Sequence, residues 1–150
     1  MAVQTNYSDT IPVAYPGQVA DMVPATFISR TVEDSAGIAL GVPVYQGSND
    51  GGCSATGTLL LGISVRERSL NPETPNIFAE NESARIIAQG AVWVTVSSAV
   101  SAGEPVTLTA GNEFSASGAT AMSGAVFDTS ADADGLARIR LTGGFTDTSV

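Results

Sequence analysis

The chain has 150 residues and a mass of 15.2 kDa, the size of one compact domain. Its net charge of −9 excludes a nucleic-acid binder, because phosphate groups would be repelled on average. All six basic residues are arginine and histidine is absent, which excludes imidazole metal ligands, a histidine general base and a Schiff-base lysine.

Charged residues make up only 14% of the chain, against about 25% in an average soluble domain. We therefore expect part of the surface to be covered by copies of the same chain or by another protein. The single cysteine, Cys53, cannot form an intrachain disulfide. Because no signal-peptide pattern and no apolar run of membrane-spanning length occur, we expect folding in the cytoplasm and no membrane partner.

In chain order, the first predicted element is an extended N-terminal arm, residues 1–16. Pro12 and Pro16 interrupt it, and its apolar residues lack helical spacing. We expect the arm to find its partners outside the compact domain. Its candidate contact residues are Val3, Tyr7, Ile11, Val13 and Tyr15.

A β-barrel domain is predicted over residues 17–150. Segments rich in Val, Ile, Thr and aromatic residues are 25–32, 42–46, 58–65, 84–89, 91–96, 105–109, 123–128 and 136–142. Short strands at this spacing predict an all-β barrel or sandwich. Residues 46–57, which include Cys53, are predicted to be a turn-rich loop. One helix is predicted around Pro72 to Glu80, with Thr74 as its cap.

An internal repeat divides this domain. Three segments of the first half and their counterparts in the second are 41–44 (GVPV), 62–65 (GISV) and 84–86 (ARI), then 103–106 (GEPV), 124–127 (GAVF) and 137–139 (ARI). The first two segments are 21 residues apart in both halves (62 − 41 and 124 − 103). We predict two similar β units, about 24–97 and 100–143, packed pseudo-symmetrically. Chance matching among small residues is the alternative.

Trp93 lies in an alternating segment that places Val92, Val94 and Val96 on the opposite face. We interpret its ring as a filler of the barrel or of an interface, with stacking on a sugar or base as the alternative.

Two arginine pairs have i, i+2 spacing, which on a strand directs both members to one face: Arg66 with Arg68, and Arg138 with Arg140. We interpret them first as solvated surface charges, with pairing to carboxylates across a subunit boundary as the alternative that makes them candidate contact residues.

No catalytic residue, cofactor or metal site is predicted. Asp132 and Asp134 resemble the start of a calcium loop, but the remaining ligands of such a loop are missing, so a solvated acidic turn is expected. Glu80 and Glu82 are interpreted as solvated charges rather than a carboxylate pair for hydrolysis. Cys53 has no neighbouring base to activate its thiol.

Five segments, in this order, resemble the structural cement or head-decoration proteins of tailed bacteriophages: 15–21 (YPGQVAD), 29–30 (SR), 38–44, 61–66 (LGISVR) and 90–94 (GAVWV). The sequence departs from the family at 81–84 (NESA), where the pattern has an aromatic residue and a Gly-Asp turn. The resemblance implies a small β-barrel that binds the outside of an assembled capsid, joins neighbouring capsomers and catalyses nothing.

The expected partners are therefore the major capsid protein and the chain itself, as a homotrimer first and a dimer second. The expected location is the outer capsid surface of the virion, after synthesis in the host cytoplasm. The alternative function is a tail or fibre adhesin that contacts host glycans through Trp93 or Tyr45.

Overall fold

The structure, a computed structural model, describes residues 12–67 and 73–143 and the backbone of 147–148. Its strands are β1 (Thr26–Val32), β2 (Ile38–Ala39), β3 (Pro43–Gln46), β4 (Gly52–Ser54), β5 (Leu60–Ser64), β6 (Ile77–Phe78), β7 (Ser83–Thr95), β8 (Pro105–Leu108), β9 (Phe114–Ser115), β10 (Thr120–Phe127), β11 (Leu136–Leu141) and β12 (Asp147–Thr148). The predicted all-β class is confirmed. In the described ranges, no helix is long and apolar enough to cross a membrane.

Five strands close a β-barrel. β1 pairs with β7, β7 with β5, β5 with β3 and β3 with β4, and β4 returns to β1. The last contact is parallel and joins only Thr31 to Gly52 and Val32 to Cys53. The barrel therefore closes at the C-terminal end of β1, while the rest of that strand lies beside β7.

The second half of β7 begins a further group of strands. It pairs with β11, which is followed by β10, β8 and β9, and β12 pairs with β10. An isolated parallel bridge joins Val96, just after β7, to Phe114 in β9. Gly90, with φ of +132°, lies where β7 exchanges its partner β1 for β11. One long strand thus belongs to both groups.

The repeated sequence segments occupy corresponding places in these groups. They fall at β3, β5 and β7 in the first group and at β8, β10 and β11 in the second. The strand register agrees as well. Ala84 and Ala137 begin the two Ala-Arg-Ile segments, and each pairs with a residue of a preceding strand segment, Arg30 in the first group and Val94 in the second. This is the arrangement that two similar units predict, and the duplication itself stays a prediction.

The turn before β7, where the sequence departs from the family pattern, is made by an asparagine. Asn81 adopts a left-handed φ of +67°, which asparagine tolerates better than most residues, and its N–H donates to the Val32 carbonyl at 2.9 Å. Asp134 has a φ of +63° and donates to Val96 at 2.8 Å in the second group. Both turns therefore use a short polar residue at this position.

β7 contributes side chains to two buried clusters in the interior. Ala84 and Ile86 belong to a cluster inside the closed barrel. Ile87, Val92 and Val94 belong to a larger cluster shared by the two groups. Alternation separates Ile86 from its neighbour Ile87, but Val92 and Val94 have the same parity as Ile86 and lie in the other cluster, so the strict alternation of β7 does not continue through Gly90.

Three local predictions are wrong. The described part of the predicted helix, 73–80, contains turns and β6, because Phe78 is buried and pairs with Ile38. Cys53 lies in β4 rather than in a loop, since its small side chain fills the barrel interior. The predicted strands 84–89 and 91–96 form one continuous strand through Gly90.

Candidate interaction surface

Residues 12–23, called the N-terminal segment below, pack against the second half of β7. The N–H of Gly17 donates to the Trp93 carbonyl at 2.8 Å, and the Trp93 N–H donates back to residue 18 at 2.9 Å. The N–H of Ala20 donates to the Ala91 carbonyl at 2.9 Å. These bonds continue antiparallel pairing, so part of the N-terminal segment behaves as a short added strand.

The segment crosses the barrel at two glycines. Gly17 and Gly41 have φ values of +79° and +72°, and a Cβ on Gly41 would lie 2.6 Å from the nitrogen of Gly17. The Gly17 carbonyl accepts the N–H of Arg66 at 2.7 Å. Only glycine allows two main chains to approach this closely, which fixes where the segment crosses.

Four large apolar side chains of the segment are exposed. Their exposed fractions are 85% for Val13, 53% for Tyr15, 101% for Met22 and 44% for Val23. Ala14, between two of them, is only 3% exposed. The main chain is therefore anchored while its apolar side chains face outward, which is typical of a surface that a partner covers. Sequence reasoning missed Met22 and Val23.

Tyr15 and Arg66 form a ridge. The Arg66 guanidinium carbon lies 5.4 Å from the centroid of the Tyr15 ring, a cation–π distance. Its Nη1 donates to Oδ1 of Asn76 at 3.1 Å. Hollows of about 430 and 580 Å³ lie beside this ridge, and both residues line each of them. The ridge thus offers an aromatic face and a cation next to space that a partner side chain can enter.

Arg138 and Arg140 find their carboxylates within the chain. Both lie in β11, and each approaches a carboxylate oxygen of Asp128 at 3.4 Å. Arg138 also lies 3.7 Å from Asp21, which ties the N-terminal segment to β11. The pairing with carboxylates occurs, but inside one chain, and a contact across a subunit boundary stays a prediction.

The two aromatic residues considered for glycan stacking lie in different surroundings. Trp93 is partly buried, on the face opposite the buried Val92 and Val94, as the alternation predicts. Tyr45 is only 6% exposed, and its hydroxyl donates to Oδ1 of Asn112 at 2.8 Å. Tyr45 therefore has no free ring face for a sugar, and that part of the adhesin hypothesis is wrong.

Among the described residues, Glu33 is the carboxylate with the most strongly perturbed pKa, and it organises the loop between β3 and β4. It accepts hydrogen bonds from the hydroxyl and N–H of Ser48 and from the N–H and side-chain amide of Asn49, at 2.7 to 2.9 Å. These bonds, the Ser48 hydroxyl first, lower the pKa of Glu33 to about 2. The arrangement is structural, because all four donors belong to the loop that it holds.

Cys53 is chemically inert in the fold. Its side chain is fully buried, and burial, aided by the charges of Asp34 and Glu33, raises the pKa of its thiol to about 11, although Arg30 opposes the shift. A thiol with so high a pKa is a poor nucleophile at neutral pH.

The acidic candidates do not assemble into a site. Asp132 and Asp134 are exposed, and across the described ranges no three His, Cys, Asp or Glu residues are grouped closely enough to hold a metal ion. Glu80 is exposed as well, while Glu82 accepts the Ala79 N–H at 2.8 Å. Glu82 is therefore part of the turn before β7.

Four candidate contact residues lie outside the described residues. They are Val3, Tyr7 and Ile11 of the predicted arm, and Arg68. Arg66 follows the end of β5, so the shared strand face expected for Arg66 and Arg68 is not observed at Arg66.

Comparisons with known proteins agree with this geometry. The family model described as "Structural cement protein (E217 gp24/Pam3 gp6)" matches residues 3–142. A chain of the solved structure "The capsid of Myoviridae Phage XM1" superposes with a TM-score of 0.74 at 21% identity, covering 97% of this chain and 100% of that one. No curated protein matches the sequence.

The class defined by the fold is that of small closed β-barrels with added strands. Because the family model covers most of its length, the chain belongs to the phage structural cement proteins. The resemblance inferred from the sequence is thereby confirmed.

Proposed function

We propose that this protein binds the outer surface of a phage head and bridges neighbouring capsomers, without catalysis. The exposed apolar side chains of the N-terminal segment carry this proposal. Four large apolar groups on a segment anchored by main-chain hydrogen bonds leave apolar area in water, and a protein partner relieves that cost. Membership of the cement family supports a capsid shell as the partner.

The segment is suited to this task because it is held at several points. Hydrogen bonds to β7 and to Arg66, and the ion pair between Asp21 and Arg138, connect it to both groups of strands. A pull on the segment is therefore transmitted to the folded domain. The partners proposed are the major capsid protein and further copies of this chain, with a homotrimer preferred over a dimer.

Avidity then strengthens the attachment. An oligomer that engages several capsomers makes each further contact intramolecular, so modest single contacts sum to firm binding. We place the protein on the outer surface of the virion, because a clamp on the outside resists the separation of capsomers under internal pressure.

The test uses Val13→Asn and Met22→Asn, singly and together, on the full chain. Both side chains are mostly or fully exposed, so the melting temperature stays within about 1 °C of wild type. Co-sedimentation with heads assembled without this protein measures the affinity, and we expect the double variant to bind at least about tenfold more weakly.

Leu59→Asn is the matched control, because Leu59 is an apolar residue exposed to 62% outside the segment. Equal binding by the double variant and this control contradicts the assignment of the surface. Sedimentation equilibrium of the wild-type protein decides between trimer and dimer.

A further inference from the structure

One edge of β1 is open. β1 pairs with β7 from Thr26 to Thr31, but with β4 only at Thr31 and Val32. In the parts of the chain that the structure describes, no other strand pairs with residues 26–30. Thr26 and Ser29 are exposed, so the described residues leave these two positions of the edge uncovered.

Hydrogen bonds at the end of β1 show which groups lie on the open side. The N–H of Thr31 donates to Gly51 at 2.9 Å toward β4, and the N–H of Val32 donates at 2.9 Å to the turn before β7. Because successive residues of a strand alternate their main-chain groups, those of Ser29 and Phe27 point away from β7. An added strand can bond to both.

In the second group of strands, the edge that corresponds to the open edge of β1 is the edge of β7 at Trp93, and another segment of the chain covers it. Trp93 corresponds to Ser29, since each faces the arginine of an Ala-Arg-Ile segment, Arg138 and Arg85 respectively. The edge at Trp93 is covered by residues 17–20, which add an antiparallel strand through three hydrogen bonds of 2.8 to 2.9 Å. The fold therefore contains a strand addition at one edge and an open counterpart at the other.

We propose that the open edge of β1 binds a short extended acidic segment of the capsid protein by antiparallel strand addition. This inference rests on the proposed function and names the place and mode of the contact. Strand addition takes its affinity from main-chain hydrogen bonds and its specificity from alternate side chains.

The charges beside the edge select the acidic character. The Arg85 guanidinium lies 4.0 Å from the centroid of the Phe27 ring, and Arg30 donates to the carbonyl of Ser29 at 3.1 Å. No carboxylate among the described residues forms an ion pair with either arginine. Arg85 lies on the face of Ser29 across the β1–β7 pair, and Arg30, the next residue of β1, lies on the opposite face. An acidic side chain on either face of the added strand therefore gains one cationic neighbour.

A second copy of this chain fits the edge less well. Antiparallel pairing of β1 with β1 of another copy would gather Arg30 and Arg85 of both chains along one junction. Like charges brought together in this way oppose association. The capsid protein is therefore the occupant proposed.

The test compares Ser29→Pro with Ser29→Thr in the full chain. Proline removes the N–H on the open side and no bond to β7, and an edge strand tolerates proline when its N–H faces solvent. Threonine keeps the N–H. Both proteins are first compared by thermal melting, then by co-sedimentation with heads that lack this protein.

We expect Ser29→Thr to bind like wild type and Ser29→Pro to bind at least about tenfold more weakly. Hydrogen exchange of the wild-type protein provides a readout independent of the variants. The amides of Ser29 and Phe27 should exchange fast in the free protein and at least about tenfold more slowly on heads.

Three results overturn the inference. Undiminished binding by Ser29→Pro, together with unchanged hydrogen exchange at Ser29 and Phe27, shows that the edge of β1 is not the binding site and leaves the proposed function intact. A lower oligomeric mass of Ser29→Pro with normal head binding makes a second copy the occupant. If the wild-type protein does not bind heads, both the binding site at the edge of β1 and the proposed function are refuted.

Discussion

Substitution of the two repeat-related glycines by alanine tests how the N-terminal segment is anchored. Gly41 and Gly103 occupy the same place in the repeat, and both adopt left-handed φ values, +72° and +92°. At Gly103 an added Cβ meets nothing within 4 Å, so Gly103→Ala incurs only backbone strain, about 1–2 kcal/mol.

Gly41→Ala incurs the same strain and a collision. Its Cβ would lie 2.6 Å from the Gly17 nitrogen and 2.9 Å from two carbon atoms of Pro16. Displacing Gly17 weakens its hydrogen bonds to Trp93 and Arg66, each worth about 0.5–1.5 kcal/mol, so the total cost is about 2–5 kcal/mol.

Urea denaturation of both variants measures the difference, which we expect to be about 1–3 kcal/mol in the free energy of unfolding. Hydrogen exchange at residues 17–20 should accelerate in Gly41→Ala and remain unchanged in Gly103→Ala. Equal unfolding free energies and equal exchange in the two variants would refute the anchoring of the segment at this crossing.

Three further predictions concern buried and charged groups. The folded pKa of Glu33, about 2, lies below its ordinary value of 4.5, so its stabilisation is full above pH 4.5 and lost as the pH falls toward 2; urea midpoints of wild type and Glu33→Gln should differ at pH 6 and converge at pH 2. Native Cys53 should resist iodoacetamide at pH 8, as measured by mass spectrometry, and react fully in urea. Asp128→Asn removes the ion pairs to Arg138 and Arg140, and should lower stability by about 1 kcal/mol at low salt and less at high salt.

Much of the fold follows from local patterns in the sequence. Alternation predicts that Val92, Val94 and Val96 share a face, and all three are at most 1% exposed. Runs of β-branched residues locate the longer strands. The family is also recognisable from the order of short segments along the chain, and the family model that matches residues 3–142 confirms it.

The sequence does not reveal which distant residues meet. Gly17 bonds to Trp93, and Asp128 lies between two arginines of β11, because the topology brings remote segments together. The sequence does not predict Asp128 as the partner of Arg138 and Arg140 within the chain for this reason, and a contact across a subunit boundary stays a prediction. Short strands are hidden as well, since β4 and Cys53 lie in a stretch with loop composition.

The open edge of β1 illustrates the same limit. Ser29 and Phe27 look like ordinary strand residues in the sequence, and only the short parallel contact between β1 and β4 shows that their main-chain groups lack a neighbouring strand among the described residues. Comparison with the covered edge at Trp93 gives that observation its meaning.

Electron cryomicroscopy of heads assembled without this protein and then saturated with it tests the central claim most directly. The account predicts added density on the outer surface that is continuous with at least two neighbouring capsomers. Residues 12–23 should lie at the contact with a capsomer. Density confined to one capsomer, density on the inner surface, or none at all would contradict a protein that bridges the shell from outside.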